Sequence, residues 1–428
     1  MNDYVLLKDY KKEEETLLYS SPCRGLWNIV HLATQVPGSH QIYVCPTSCL
    51  RGVVLTTAEM GAMDRLSTIT VGEDNILEGN LEEMILSGTR KILHTLKKKP
   101  TVVFIFTSCI HHFMAADFMR VYRILREEFP DIAFIDAYMD PIMRKKTPPL
   151  PSLQRQVFRM FNDVNKDEDQ SSFIDNWFPA EHNDLYTHLK RNGIIVKDFS
   201  KMKTYEEYLS MQKSCMNFVF HPFGMIAAKD MYYRLHQNYL YMPLSFDYEM
   251  IDDSMQKACE MMHVSSISKE EIIHARDCVE KKVEHLKEVL NGAPVAIDHS
   301  AVDMPFSLAL FLEERGITVS DIFLEGTTEG IEVIAKLKEL HPDIRIYNPD
   351  NCMMRKHVRQ CEEKTLAIGQ QAAYFLNTPY FVNQIFTAGM YGYEGILEMI
   401  HRMEEAFIEK KDIESTVSVK GWRCHVHG

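Results

Sequence analysis

The sequence predicts an α/β protein with parallel sheets, divided into three domains. Strand-like apolar runs alternate with helix-like segments along most of the chain, which is the pattern of βαβ units. With 428 residues the chain is too long for one compact core. A proline-rich stretch at 144–151 and a charged helix at 270–290 are the predicted connections between domains. We therefore expect domains at residues 1–150, 151–290 and 291–428.

Each predicted domain has its own strands and helices. The first has an amphipathic helix at 113–128 and strands at 41–44, 101–108 and 132–135, of which 101–108 is apolar enough to be fully buried. The second has a helix at 227–235 and strands at 193–196, 216–220 and 239–242. The third has a helix at 305–315, ended by Gly316, and strands at 294–298, 321–324 and 344–347.

Composition argues against several classes of partner and predicts the compartment in which the protein lies. The chain carries 60 acidic and 47 basic side chains, a net charge of −13, which argues against nucleic acid or an anionic membrane as a partner. It contains no apolar run of about 18 residues, so we expect no membrane span. Ten cysteines do not make a disulfide scaffold in a chain of this size, and the polar start is not a signal peptide. We expect a reducing cytoplasm, where thiols are free to bind metal.

Three cysteines in the first quarter of the chain are the strongest functional signal. Cys23 lies just before a helix-like run, Cys49 closes a turn after a short strand, and Cys109 follows the buried strand at 101–108. In open α/β sheets, ligands collect beyond the carboxyl ends of strands, where Cys49 and Cys109 fall. Thiolates are the ligands that iron–sulfur clusters require. We therefore predict that Cys23, Cys49 and Cys109 converge on an iron–sulfur cluster.

Cys45 is a further candidate ligand. It precedes Cys49 by four residues across a proline turn, so one thiol could bind the cluster while the other tunes it or exchanges. Three thiols leave a site that Cys45, an oxygen ligand or a partner chain could complete. The alternative is that Cys45, Cys49 and Cys109 are small buried hydrophobes, as free cysteines often are.

These motifs carry a resemblance to a known family. Cys23 after a proline, Cys49 at the end of its turn, and Cys109 with Asp117 eight residues later resemble the cluster-binding cysteines of the nitrogenase component 1 family. The segment Tyr391-Gly392-Tyr393-Glu394-Gly395 resembles the family's turn before its final helix. The resemblance covers nearly the whole chain and implies three Rossmann-like domains with parallel sheets.

The same resemblance implies a cofactor and partners. It implies an iron–sulfur cluster of the [4Fe–4S] type, shared between two paired subunits. The second subunit is either a related component 1-like chain or a second copy of this one. The electron donor that it implies is an ATP-hydrolysing iron–sulfur reductase of the nitrogenase iron-protein type.

Two positions depart from the nitrogenase pattern. Nitrogenase holds its active-site cofactor with a histidine just before the Gly-Tyr-Glu-Gly turn, where this chain has Tyr391. The region matching the second ligand, a cysteine, contains His221 and no thiol. Tyrosine is a hard ligand that suits a reduced, thiolate-rich cofactor poorly. We therefore expect no dinitrogen-fixing cofactor, and His221 and Tyr391 become candidates for a substrate pocket.

Two functions agree with this sequence. The first is an oxidoreductase that accepts low-potential electrons through the cluster and reduces a small, flat or conjugated molecule. The alternative is a scaffold on which a metallocluster is assembled and handed on, without turnover of its own. The chain has neither a Gly-x-x-x-x-Gly-Lys-Ser/Thr loop nor a Gly-x-Gly-x-x-Gly turn, so we expect electrons to arrive from a separate ATP-hydrolysing protein.

Overall fold

The computed structural model describes residues 4–10, 28–139, 148–175, 177–326, 329–357 and 364–416. Its strands are, in chain order, β1 (Val5–Leu6), β2 (Ser39–Cys45), β3 (Leu66–Thr70), β4 (Val102–Thr107), β5 (Ala133–Tyr138), β6 (Asp167–Phe173), β7 (Ile195–Asp198), β8 (Ser214–Val219), β9 (Asn238–Tyr241), β10 (Val295–Asp298), β11 (Val319–Phe323), β12 (Arg345–Tyr347), β13 (Leu366–Ile368) and β14 (Phe381–Val382).

The α-helices connect and cover these strands. They are α1 (Asn28–Gln35), α2 (Thr47–Glu59), α3 (Glu73–Glu78), α4 (Leu81–Thr95), α5 (Cys109–Phe113), α6 (Phe118–Glu128), α7 (Pro149–Val157), α8 (Asp184–Arg191), α9 (Tyr205–Ser210), α10 (Met225–Leu235), α11 (Tyr248–Met261), α12 (Lys269–Leu290), α13 (Pro305–Glu313), α14 (Ile331–Leu340), α15 (Gln370–Leu376), α16 (Gly392–Ile408) and α17 (Ile413–Thr416). None of the helices in the described residues is long and apolar enough to cross a membrane.

The chain packs into two compact units, each built on parallel sheets. Unit 2, formed by Leu26–Trp177 and Ile194–Pro243, contains two four-stranded sheets with the orders β3-β2-β4-β5 and β7-β6-β8-β9. Unit 1 comprises Met1–Gly25, Phe178–Gly193 and Leu244–Gly428. Its six-stranded sheet has the order β1-β12-β11-β10-β13-β14, and only the β1 pairing is antiparallel. The predicted α/β fold with parallel sheets is confirmed.

The two sheets of unit 2 share an apolar core. Tyr43 of β2 and Phe106 of β4 stack with ring centroids 4.3 Å apart. The same buried cluster continues through Phe158 and Phe199 to Tyr208 beside the second sheet. Fully burying an apolar side chain of this size contributes about 1.5–3 kcal/mol, so the shared cluster couples the two sheets into one unit.

Most predicted elements lie where the sequence places them. The buried strand at 101–108 is β4, all of whose residues are buried, and the charged helix is α12. The sequence does not predict β1, β3, β6, β13 or β14. Because β6 begins with Asp167, Glu168 and Asp169, all exposed, its acidic start hides a strand whose second half is buried.

The helix predicted at 113–128 is interrupted. It consists of α5 and α6, separated by a turn in which Ala115 has a φ of 52°. Asp117 then caps the new helix, because its carboxylate accepts the Arg120 N–H at 3.0 Å. The periodicity of apolar residues continues across this turn, so the sequence did not predict the break. Because of the break, α5 ends four residues after Cys109.

The division into three domains at 150 and 290 stays a prediction. Each predicted domain contributes the strands of one sheet, except that β1 of the first joins the sheet of the third. However, α8, α11 and α12 belong to unit 1, although all three precede the predicted boundary at residue 290. The two units defined by packing therefore do not coincide with the three domains that the order of strands predicts.

The start of α16 depends on one partly buried carboxylate of unit 1. Asp184 accepts the Tyr393 N–H at 2.6 Å and the Glu394 N–H at 3.3 Å, which satisfies two of the free N–H groups at this helix end. A Cβ on Gly392, whose φ is 73°, would lie 2.3 Å from Asp184 Oδ2, so glycine is required there. Burial outweighs the two hydrogen bonds and raises the pKa of Asp184 to about 6.

We predict that the stability difference between the wild type and Asp184→Asn depends on pH. Because the pKa of Asp184 is raised to about 6 in the folded chain, the unfolded chain loses this proton first as the pH rises. Above about pH 6, ionisation of Asp184 should therefore lower the free energy of unfolding of the wild type by about 3 kcal/mol. Below about pH 4 this loss should be absent. Denaturant unfolding of both proteins between pH 4 and pH 7.5 should show the variant gaining relative stability. A constant difference over this range would contradict the assignment.

Candidate functional site

Each sheet has a point at which the strand order reverses. In the first sheet it lies between β2 and β4, in the second between β6 and β8, and in the sheet of unit 1 between β10 and β13. Ligands of open α/β sheets bind at the carboxyl ends of the strands at such points. The candidate residues are therefore best considered one sheet at a time.

The first reversal point carries the described candidate thiols. β2 and β4 are adjacent, with Val44 opposite Thr107, so the helices that follow them begin at the same sheet edge. Cys45 is the last residue of β2, and Cys49 lies in the first turn of α2, where its N–H donates to the Pro46 carbonyl at 2.9 Å. Cys109 is the first residue of α5. Helix N-termini favour negatively charged ligands, including thiolates.

The three thiols differ in burial. Cys45 is buried in the apolar core of unit 2, whereas Cys49 and Cys109 are partly exposed. Burial, followed by the nearby Cys49, raises the pKa of Cys45 to about 12. Cys45 therefore remains a neutral thiol near pH 7 unless a metal displaces its proton. This contrast favours Cys49 and Cys109 as the accessible ligands.

One buried histidine accompanies Cys109. His111 has no exposed surface, and its Nδ1 lies 3.3 Å from the Ser108 hydroxyl oxygen. Its Nε2 is buried and lacks a hydrogen-bond partner among the described residues. Burial lowers the pKa of His111, so the ring is neutral at pH 7. A neutral imidazole with an unused nitrogen is available to a group bound beside Cys109.

The described residues fit part of an iron–sulfur site. Nowhere in the described ranges do three His, Cys, Asp or Glu side chains form a group that could hold a single metal ion. A cluster does not require this, since each iron takes its own thiolate and the ligands surround an object several ångströms across. The donors present are sulfurs at one sheet edge, which suits a cluster completed by further ligands. Cys23, the remaining predicted ligand, lies outside the described residues.

The second reversal point holds His221. Asp175, two residues after β6, accepts the His221 N–H at 2.7 Å and the Phe220 N–H at 2.9 Å. A Cβ on Gly224 would lie 2.6 Å from Asp175 Oδ2, so the turn after β8 closes tightly over this carboxylate. Asp175 thereby fixes the backbone that carries His221.

A row of aromatic rings extends from His221 through unit 2. His221 stacks on Phe223 with centroids 5.1 Å apart and an interplanar angle of 4°. Phe223 contacts Trp177 at 5.5 Å, and Trp177 stacks on His31 of α1 at 5.0 Å. Burial lowers the pKa of His31, which keeps that ring neutral. The candidate pocket residue His221 therefore lies at one end of a series of packed aromatic rings.

Sequence reasoning missed Asp175, Trp177 and His31. Asp175 and Trp177 follow β6, the strand with the acidic start, so without that strand their position at a sheet edge was not apparent. The available signal was the pair of an acid and a tryptophan just after the apolar end of β6. His31 carried no sequence signal, because only the folded chain brings α1 against Trp177.

Tyr391 lies in unit 1 and is almost completely buried, with 1% of its surface exposed. It precedes α16 and forms a parallel bridge with Asn183, in which its N–H donates to the His182 carbonyl at 2.9 Å. Burial raises the pKa of its hydroxyl. The structure thus places Tyr391 at the junction that Asp184 caps, and its assignment to a substrate pocket stays a prediction.

The remaining described cysteines show no shared site. Cys259 is buried, Cys215 and Cys278 are partly buried, and Cys352 is exposed. Cys215 contacts backbone carbonyls of the neighbouring strand β6, at 3.4 Å from Glu168 and 3.3 Å from Gln170. These thiols serve as packing or surface groups and as controls for experiments on the candidate ligands.

Comparisons with known proteins agree on a single family. The model of the nitrogenase component 1 type oxidoreductase family matches residues 30–408. A search of curated protein sequences finds no significant match.

Two solved structures are similar in fold. That of nitrogenase Cp1 at pH 6.5 has a TM-score of 0.67 and 12% sequence identity, covering 93% of this chain and 95% of that chain. That of nitrogenase Cp1 at pH 5 has a TM-score of 0.61 and 10% identity, covering 95% of this chain and 93% of that chain. At sequence identities this low, the two matches show that the folds are similar and nothing more.

We predict that Gly224→Ala destabilises unit 2 by about 1–3 kcal/mol, because the new methyl group must displace the Asp175 carboxylate from the His221 N–H. Gly326→Ala is the matched control, since a Cβ there meets nothing within 4 Å. Denaturant unfolding monitored by tryptophan fluorescence should separate the two variants. Equal stability would show that the turn relaxes without cost.

Proposed function

The chain belongs to the nitrogenase component 1 type oxidoreductases, and we propose that it is the electron-accepting subunit of a nitrogenase-like reductase system. In this proposal Cys23, Cys49 and Cys109 hold a [4Fe–4S]-type cluster at an interface with a second subunit. A separate ATP-hydrolysing iron–sulfur protein supplies the electrons, and a small, flat or conjugated molecule is reduced. The setting that we propose is the cytoplasm.

The placement of the thiols carries this proposal. Cys49 and Cys109 begin neighbouring helices at the carboxyl edge of the first sheet, where a ligand is expected. When bound, a thiolate-held cluster accepts and donates single electrons at low potential. The chain has no motif for a nucleotide or nicotinamide cofactor, so these thiols are the redox entry that its residues offer.

Exposed apolar side chains near the same edge support a partner subunit. Leu77 of α3 is 84% exposed, Phe113 of α5 73%, Met114 43% and Met119 of α6 87%. These residues follow β3 and β4, the strands that flank or carry the thiol positions. Single exposed apolar residues are ordinary, so the support here is that four of them follow two neighbouring strands of one sheet in the chain. A second component 1-like chain, or a second copy, is the proposed occupant.

The ring row of unit 2 supports the proposed class of substrate. His31, Trp177, Phe223 and His221 form a series of rings in contact with one another, and aromatic side chains of this kind pack well against flat conjugated molecules. No thiol occupies the turn at His221, and Tyr391 replaces the histidine that the nitrogenase cofactor requires. We therefore propose that the protein does not fix dinitrogen, with His221 and Tyr391 retained as candidate pocket residues.

We predict that Cys49→Ala and Cys109→Ala each lose iron after anaerobic reconstitution with iron and sulfide. Changes to groups that only support a metal ligand already cost about 10–100-fold in affinity, so loss of a ligand should cost at least about tenfold. Iron and sulfide per chain, together with the EPR signal after reduction, provide the measurement.

Cys352→Ala is the matched control, because this exposed thiol of unit 1 lies outside the proposed site. It should retain wild-type iron. Circular dichroism should show that all three variants remain folded. Full iron content in Cys49→Ala and Cys109→Ala would refute the cluster assignment and favour partly buried structural thiols.

A second experiment separates the reductase from the scaffold. The cluster-loaded protein is reduced by its iron-protein partner with ATP and then mixed with candidate conjugated substrates or with an apo acceptor protein. Re-oxidation by a substrate, without loss of iron, is expected for the reductase. Transfer of iron and sulfide to the acceptor, without re-oxidation, would identify the scaffold and contradict the proposed turnover.

A further inference from the structure

A groove runs along the open edge of the first sheet in unit 2. Among the residues that the structure describes, β5 is the last strand of this sheet and pairs with β4 alone. A cavity of about 1040 Å³ lies beside it, bounded by residues 132–136 on one side and by α6 on the other, with Arg159 and Met160 at its far wall. We call this cavity the β5 groove. It is separate in sequence from the cysteines, and no cysteine lines it.

The groove exposes unpaired backbone groups of β5. The N–H groups of Ala133 and Met139 donate to the carbonyls of Thr101 and Thr107, both at 2.9 Å. Because backbone direction alternates along a strand, Phe134 and Asp136 point their N–H and C=O groups away from β4. Within the described ranges neither of these two N–H groups has an acceptor. An open strand edge of this kind is a template for another strand.

A row of arginines lies over this edge. Arg120, Arg123 and Arg126 recur every third residue of α6, so they advance along one side of the helix by about 4.5 Å per step. Arg126 donates to the Phe134 carbonyl at 3.2 Å, which shows that the row reaches the open edge of β5.

The arginines retain unused charge. The ion pair of Arg123 with Glu127 at 3.7 Å is exposed on both sides and therefore weak. Across the groove, Arg159 lies 3.2 Å from Asp230 and remains 48% exposed. Two acids, Asp117 and Asp136, also line the groove, against four arginines, and the Asp136 carboxylate accepts the Tyr138 hydroxyl. A basic groove on a chain of net charge −13 favours an acidic ligand.

We propose that the β5 groove binds an extended acidic segment of a partner protein, which adds to the sheet as a strand beside β5. Strand addition would pair the N–H groups of Phe134 and Asp136, giving affinity, while alternate acidic side chains face the arginines, giving specificity. Alternate side chains of an extended strand all face the same side, so several acidic groups of one segment can face the arginines together. A compact anion such as phosphate would instead need converging donors. The proposal is independent of the iron–sulfur cluster.

The test uses the full chain and a labelled capped peptide of four Val-Glu repeats, with Val-Lys repeats as the comparison. Fluorescence anisotropy should show binding of the acidic peptide and at least about tenfold weaker binding of the basic one. Arg123→Glu should weaken binding of the acidic peptide at least about tenfold and reverse the preference toward the basic one. Hydrogen exchange should show the Phe134 and Asp136 amides protected when the acidic peptide is bound.

Lys281→Glu, which makes the same charge change on an exposed position of α12, is the matched control and should bind as the wild type does. Three results would each overturn the proposal. The first is no binding of the acidic peptide at about 1 mM, and the second is equal effects of Arg123→Glu and Lys281→Glu. The third is displacement of the peptide by inorganic triphosphate without amide protection, which would identify a site for small polyanions instead.

Discussion

Burial of the two central strands of the first sheet is the constraint on which the candidate site depends. Every residue of β2 and of β4 is buried, and Tyr43 stacks on Phe106 between them. A backbone removed from water must pair all its polar groups, so the two strands hold one register and end at one edge. That register brings α2 and α5, with their thiols, to neighbouring positions. The chemistry of the site is therefore a consequence of sheet packing and needs no special loop.

The other two sheets use a carboxylate at the corresponding place. Asp175 ties the turn after β8, and Asp298, the last residue of β10, accepts the Gln371 N–H at 2.7 Å and the Ser300 N–H at 2.9 Å. In each case a glycine closes against the acid: a Cβ on Gly224 or Gly369 would lie 2.6 Å from it. In the first sheet, β2 ends at Cys45, which has a thiol where the other sheets have a carboxylate. A buried acid that accepts backbone N–H groups fixes a turn, whereas a thiol leaves room for soft-metal chemistry.

Two edges of one sheet thus have separate properties. The carboxyl edge gathers sulfur, a neutral histidine and exposed apolar side chains, which suits a redox group and a partner subunit. The lateral edge at β5 presents open backbone groups under a row of arginines. An acidic chain that concentrates positive charge beside an unpaired strand has a local field opposite to its net charge.

The sequence by itself determined the fold class, the family and most strands and helices, because apolar periodicity and buried strand composition are local properties. It also determined that Cys49 and Cys109 lie at strand ends, and it failed at β6, where an acidic start masks a buried strand, and at Ala115, where a turn interrupts one helical pattern. Only the tertiary structure decided that Cys45 is buried while Cys49 stays partly exposed, that His31 stacks on Trp177, and that Asp175 secures His221. The physical reason is that burial, ring stacking and hydrogen bonding between distant segments depend on packing, which no local pattern encodes. The open edge of β5 belongs to the same class, since a strand's unpaired side is defined by its neighbours in the sheet.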